Sequence, residues 1–67
     1  MNIILNNRNE TIDRDLLTVQ ELLEVKNFTF RMLVIKINGK LVKKDAYEST
    51  PISDGDNVTV LHLVSGG

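Results

Sequence analysis

The clearest helix signal in this chain is short, and the segments on either side of it read as strands. Thr18 and Glu21 stand at capping-box spacing. The threonine hydroxyl can accept from the amide of residue 21, while the glutamate reaches back to the amide of residue 18. Leu17 and Leu22 occupy the positions of a hydrophobic staple around that cap. Val19, Leu22 and Leu23 fall at i, i+3 and i+4 and make one apolar stripe, with Gln20, Glu21 and Glu24 toward solvent. The pattern fades near Lys26-Asn27. A helix this short is held by packing rather than by propensity, so it needs a sheet to lie on.

The rest of the chain supplies one. Ile3-Ile4-Leu5 is a β-rich run closed by Asn6-Asn7-Arg8-Asn9, and asparagine tolerates the left-handed backbone of a hairpin turn. Glu10-Thr11-Ile12-Asp13 is the expected return strand. The segment Phe28 to Met32 fits either a strand or a loop pinned by two rings. Leu33 to Ile37 alternates, with Leu33, Ile35 and Ile37 on one face and Val34 and Lys36 on the other. Asn38-Gly39 is a type I′ hairpin signal, since both central residues there need positive φ, and Lys40-Leu41-Val42 is its partner strand. Lys43 to Ser53 is a polar crossover with Ala46 and Tyr47 as anchors. Asp54-Gly55-Asp56-Asn57 reads as a turn, and Val58 to Val64 as the last strand. The order is hairpin, helix, hairpin, irregular crossover, strand. One helix across one face of a mixed sheet of four to five strands makes a two-layer α+β domain. The β-grasp fold, with its first and last strands parallel at the centre, satisfies this order.

Length and composition limit the chemistry. Sixty-seven residues permit one small domain, which buries only about 60% of its unfolded surface and has little room for an enclosed site. With no cysteine, disulfides, thiolate metal sites and thiol nucleophiles are excluded. The net charge of −1, with basic residues spread along the chain, gives no nucleic-acid stripe. No apolar run approaches the roughly 20 residues of a membrane span, and Met1-Asn2-Ile3 does not begin a secretory signal. A cytoplasmic location is expected.

Conventional catalytic motifs are missing. His62 is the sole histidine, which excludes a multi-histidine metal site; it reads as a plain strand residue. Asp54 and Asp56 flank Gly55 and are expected to bond the turn's own backbone rather than a metal. Ser49 and Ser53 have no neighbouring base in sequence and read as loop residues. The glycine spacing fits neither a P-loop nor a dinucleotide fingerprint. The last strand is more informative, because both of its faces are apolar near the C-terminal end. Val58 and Val60 are expected in the core. Leu61, Leu63 and Val64 then form an exposed partner-binding surface beside the ending Ser65-Gly66-Gly67. A glycine pair arises by chance about 0.5% of the time at any given two positions.

Taken together, these segments resemble the ThiS family. The residues that carry the resemblance are Ile37-Asn38-Gly39-Lys40-Leu41-Val42-Lys43-Lys44, Ala46-Tyr47, Ile52-Ser53-Asp54-Gly55-Asp56-Asn57-Val58 and Val64-Ser65-Gly66-Gly67. The helix run Thr18-Val19-Gln20-Glu21-Leu22-Leu23 is similar in style, and Leu61-His62-Leu63-Val64 echoes the last strand of ubiquitin, which shares the fold. The resemblance covers nearly the whole chain; the long, aromatic segment Phe28 to Met32 departs from it.

The resemblance implies a ubiquitin-like β-grasp domain over residues 1–64 and a flexible tail over 65–67. It also implies a carrier rather than an enzyme. An adenylyltransferase of the ubiquitin-activating type (ThiF-like) would use MgATP to convert the Gly67 carboxylate to an acyl-adenylate. A sulfur donor such as a cysteine desulfurase would then supply sulfur for a thiocarboxylate. That species would serve thiazole synthase (ThiG-like) in thiamine biosynthesis. No metal or cofactor is expected to be bound by the chain itself, and neither nucleic acid nor membrane is an expected partner. Related carriers serve molybdopterin, cysteine and other sulfur metabolism. A non-transferring interaction module and a protein modifier are the remaining alternatives.

Overall fold

Two adjacent asparagines set the first corner of the molecule. In the computed structural model, which describes residues 1–29 and 32–63, Asn6 and Asn7 take φ of 50° and 67°. That pair makes a two-residue turn of the type whose twist suits a hairpin. Strand β1 (Asn2–Leu5) therefore pairs antiparallel with β2 (Arg8–Thr11), placing Leu5 opposite Arg8 and Ile4 opposite Asn9. The return strand thus begins two residues earlier than the Glu10–Asp13 expected from sequence, because Arg8 and Asn9 are ladder residues rather than part of the turn. Ile12 follows the strand and is buried.

Leu17-Thr18 forms a short strand, β3, which pairs antiparallel with β6 (Pro51–Ile52). The polar crossover is thereby tied to the residue that begins the helix. Helix α1 (Val19–Val25) opens on the capping box read from sequence: the Glu21 amide donates to Thr18 Oγ1 at 3.2 Å, and the Thr18 amide donates to Glu21 Oε1 at 2.9 Å. Accepting the Thr18 amide holds the Glu21 carboxyl below its ordinary value, and the Arg14 guanidinium, 3.0 Å away, pulls in the same direction. Asn27, at φ 56°, ends the helix. Its amide donates to the Glu24 carbonyl, and the Phe28 amide donates to the Leu23 carbonyl at 2.8 Å, the two bonds of a Schellman motif. Phe28 is thus the residue that follows a helix cap and packs against the core, which accounts for one of the two rings in the ambiguous segment. Phe30 and Arg31 lie outside the described residues.

β4 (Leu33–Ile37) and β5 (Lys40–Val42) form the second hairpin around Asn38 and Gly39, at φ 51° and 83°. A 3-10 turn at Lys44–Ala46 carries the chain to Tyr47, which is buried; burial pushes its phenol pKa up. The Asp54-Gly55-Asp56 turn then feeds β7 (Asn57–His62). Among the described residues, five strands form one mixed sheet in the order β2-β1-β7-β4-β5, with β7 parallel to β1 and antiparallel to β4. The first and last strands are thus neighbours at the centre, as a β-grasp requires.

The core lies between this sheet and α1. Ile3, Leu22, Ile35, Val19 and Val58 are its most deeply buried large side chains, with Leu5, Leu17, Leu23, Val42, Ile52 and Val60 around them. Period-2 alternation decides the other face: residues between the buried ones on β1, β4, β5 and β7 point away from the helix.

Candidate functional site

Strand β7 links the core to the end of the chain, and its environment is built from both sides. Toward β4, every residue from Asn57 to His62 except Asn57 has a register partner, from Val58 opposite Ile37 to His62 opposite Leu33. Beyond the strand, the Leu63 amide still donates to the Met32 carbonyl at 2.9 Å. Toward β1 the backbone ladder runs only as far as the Asn6 amide, which donates to the Val58 carbonyl at 2.9 Å. There the chain turns away, and the Asn6 side chain takes over. Its Nδ2 donates to the Val60 carbonyl at 3.1 Å and its Oδ1 accepts from the Val60 amide at 2.8 Å. A carboxamide has the same donor and acceptor pair as a peptide unit, so one side chain adds a further rung to the parallel ladder.

A similar device holds the start of β7. The Asn57 amide donates to Asn38 Oδ1 at 2.9 Å, and the Asn38 amide donates to the Asn57 carbonyl at 2.7 Å. Asn38 Nδ2 also reaches Asp56 Oδ1 at 3.1 Å. Asp56 Oδ2 accepts from the Ser53 amide at 2.8 Å, and Asp54 Oδ1 accepts from the Asn2 amide. Asp56 therefore bonds the turn's own backbone, as its spacing around Gly55 suggests, whereas Asp54 departs from that expectation and ties the turn to the start of β1, 52 residues away. Gly55 itself sits at φ 88°, where a side chain is disfavoured. Among the described residues, no cluster of histidine, cysteine or carboxylate side chains is arranged to hold a metal ion.

The outer face of the sheet is apolar at its centre. Leu61 and Val34 are register partners, and Lys36 is partnered by Thr59 on one side and Leu41 on the other. Leu41 is 61% exposed, Leu61 50% and Leu63 46%, with Ile4 on the adjoining strand also exposed. Leu61 and Leu63 are thus accessible, while Val58 and Val60 are buried, which is the division the sequence suggested. His62 is exposed and lies on the helix side of β7. Val64, Ser65, Gly66 and Gly67 lie outside the described residues. Sequence reasoning did not place Ile4, Val34 and Leu41 with Leu61; the signal available was the alternation of β1, β4 and β5, which sets each of them opposite a buried neighbour. The bridging role of Asn6 carried no sequence signal, because its partner lies 54 residues away.

Among the described residues, one α-helix packed on one face of a β-grasp sheet, with the other face exposed and apolar beside the last strand, defines a small ubiquitin-like domain. The ThiS family model matches residues 3–67, and the chain belongs to that family. The sulfur carrier protein ThiS of Bacillus subtilis (strain 168) is 25% identical over 63 residues, a match spanning 94% of this chain and 96% of the relative. The crystal structure of the thiamine biosynthesis protein ThiS from Geobacter metallireducens superposes with a TM-score of 0.89 at 30% identity, over the full length of both chains. A solution structure of a Geobacter metallireducens thiamine biosynthesis protein gives 0.79 at 30% identity, covering this whole chain and 88% of that one.

Proposed function

We propose that this protein is a sulfur carrier whose working group is the Gly67 carboxylate and whose pathway is thiamine biosynthesis. The observation that carries this reading is the family match, which extends through Gly66 and Gly67 and is joined by a relative named as a sulfur carrier. The fold adds support by placing an exposed apolar face beside the strand that leads to these residues.

The chemistry assigns little catalysis to the chain itself. A carboxylate is a poor acyl donor, because its charge repels nucleophiles and it has no leaving group. In the proposed cycle a Gly67 oxygen attacks the α-phosphorus of MgATP in the active site of a ubiquitin-activating-type adenylyltransferase, and pyrophosphate leaves. A persulfide sulfur then attacks the acyl carbon and AMP departs; cleavage of the resulting S–S bond by a thiol leaves the thiocarboxylate. Thiazole synthase receives the sulfur. Gly66 and Gly67 lack a Cβ, so backbone can pass where a side chain would clash. Three extended residues, 65 to 67, reach about 10 Å. Ordering them in a partner's site costs roughly 1–2 kcal/mol per residue, which apolar contact at Leu61, Leu63 and Val64 offsets.

Incubation with the activating enzyme, ATP and a sulfur source, followed by intact-mass measurement, tests this reading. The expected product has one oxygen replaced by sulfur at the C-terminus. A chain whose mass does not change would overturn the assignment. A variant with one residue added after Gly67 is expected to fold normally and to accept no sulfur.

A further inference from the structure

The outer face is cationic as well as apolar. Residues 32–44 hold four of the eight basic residues and none of the nine acidic ones, in a chain whose net charge is −1. Lys36 stands exposed on the outer face between Thr59 and Leu41. Lys43 keeps an extended backbone (φ −79°, ψ 155°) directly after β5, so strand alternation directs it to the same side as Leu41. Lys40 and Lys44 are exposed close by. The only ion pairs among the described residues are Arg14–Glu21 and Lys26–Glu10, so none of these four lysines is ion-paired with a described carboxylate, although Asp45 directly follows Lys44 in the chain. Strands β4, β5 and β7 contain no aspartate or glutamate at all.

We infer that the protein covering this face presents an apolar centre to Leu61, Val34 and Leu41 and an acidic rim to Lys36 and Lys43. This rests on the carrier reading above, in which the face docks on the activating enzyme. The aliphatic centre disfavours nucleic acid, since it offers no ring on which a base could stack. A lipid surface is disfavoured because the described part of the face has no aromatic anchor, and each lysine near an anionic membrane contributes only about 1 kcal/mol. Solvated lysines at the edge of an apolar contact act mainly on the rate of encounter, through an attraction that salt screens over about 10 Å.

The test measures association with the purified ubiquitin-activating-type adenylyltransferase of the same organism at low and high salt. It uses the wild type, Leu61→Ser and the double variant Lys36→Glu, Lys43→Glu. All three substituted side chains are exposed, and thermal unfolding verifies that each variant folds. The wild-type association rate is expected to fall about tenfold or more with added salt. The double variant should associate about tenfold more slowly at low salt, with a flattened salt dependence and a dissociation rate close to that of the wild type. A double variant that associates like the wild type while Leu61→Ser binds weakly overturns the acidic rim and leaves the docking face standing. Unchanged binding by Leu61→Ser overturns both. Sedimentation of the wild type with phosphatidylserine vesicles, lost in the double variant, would assign the lysines to lipid and also overturn the inference.

Discussion

Asn6 carries more of this fold than its place in a turn suggests. Its backbone makes the corner between β1 and β2, and its side chain serves as the last rung between β1 and β7. Replacing it by glycine keeps the left-handed backbone accessible but leaves the part-buried amide and carbonyl of Val60 without that partner. Asn6→Gly is therefore expected to cost about 1–3 kcal/mol, measured by urea unfolding, with faster hydrogen exchange at the Val60 amide. The turn was legible because asparagine tolerates positive φ. The rung was not, since it depends on a register that forms only when the two ends of the chain meet. Asp56 is the converse case: its bond to the Ser53 amide is local and could be read directly from sequence, while the bond from Asn2 to Asp54 spans 52 residues and could not.

At the scale of elements, α1 shows how local chemistry specifies a helix only seven residues long. Its start was legible in full, because a capping box and a staple are spacing rules. Its end also falls near Lys26-Asn27, where the pattern fades, but the Schellman motif that Asn27 and Phe28 complete there was not legible, because its signal with asparagine is weaker than with glycine. The Phe28 ring then resembles part of an alternating strand. The first hairpin misled in a similar way: Arg8 and Asn9 are polar, so they read as turn, yet the turn geometry makes them ladder residues. The strand pair β3–β6, two residues on each side, is too short to leave a periodic pattern. The helix start also makes a prediction about pH. The folded Glu21 carboxyl titrates below its ordinary value of 4.5, so its contribution is present above that value and is lost as pH falls through the folded value. Melting temperatures of the wild type and Glu21→Gln should differ at neutral pH and converge in acid below about pH 4.5; a constant difference would show that the charge plays no part.

For the whole molecule, the division of labour between core and face sets the expectations. The sequence identified the sheet, its central parallel pair and the exposure of Leu61. It did not assemble Ile4, Val34 and Leu41 around that residue, because a face is a property of strand order, and strand order is decided by which strands the core brings together. Ending the chain at Val64 should leave the melting temperature unchanged while abolishing sulfur transfer, since every described core side chain lies at or before Val60. A large drop in melting temperature would mean that residues 65–67 belong to the folded unit.

The parallel pairing of β1 with β7 also has a mechanical consequence. A partner that draws on the end of β7 pulls it along its own axis, past β1 and against β4. The bonds from Ile4 to Asp56, from Asn6 to Val58 and from the Asn6 side chain to Val60 lie across that direction, so they are loaded together in shear rather than opened one at a time. A carrier tethered by its last strand can thus be tugged, inserted and withdrawn while these bonds share the load.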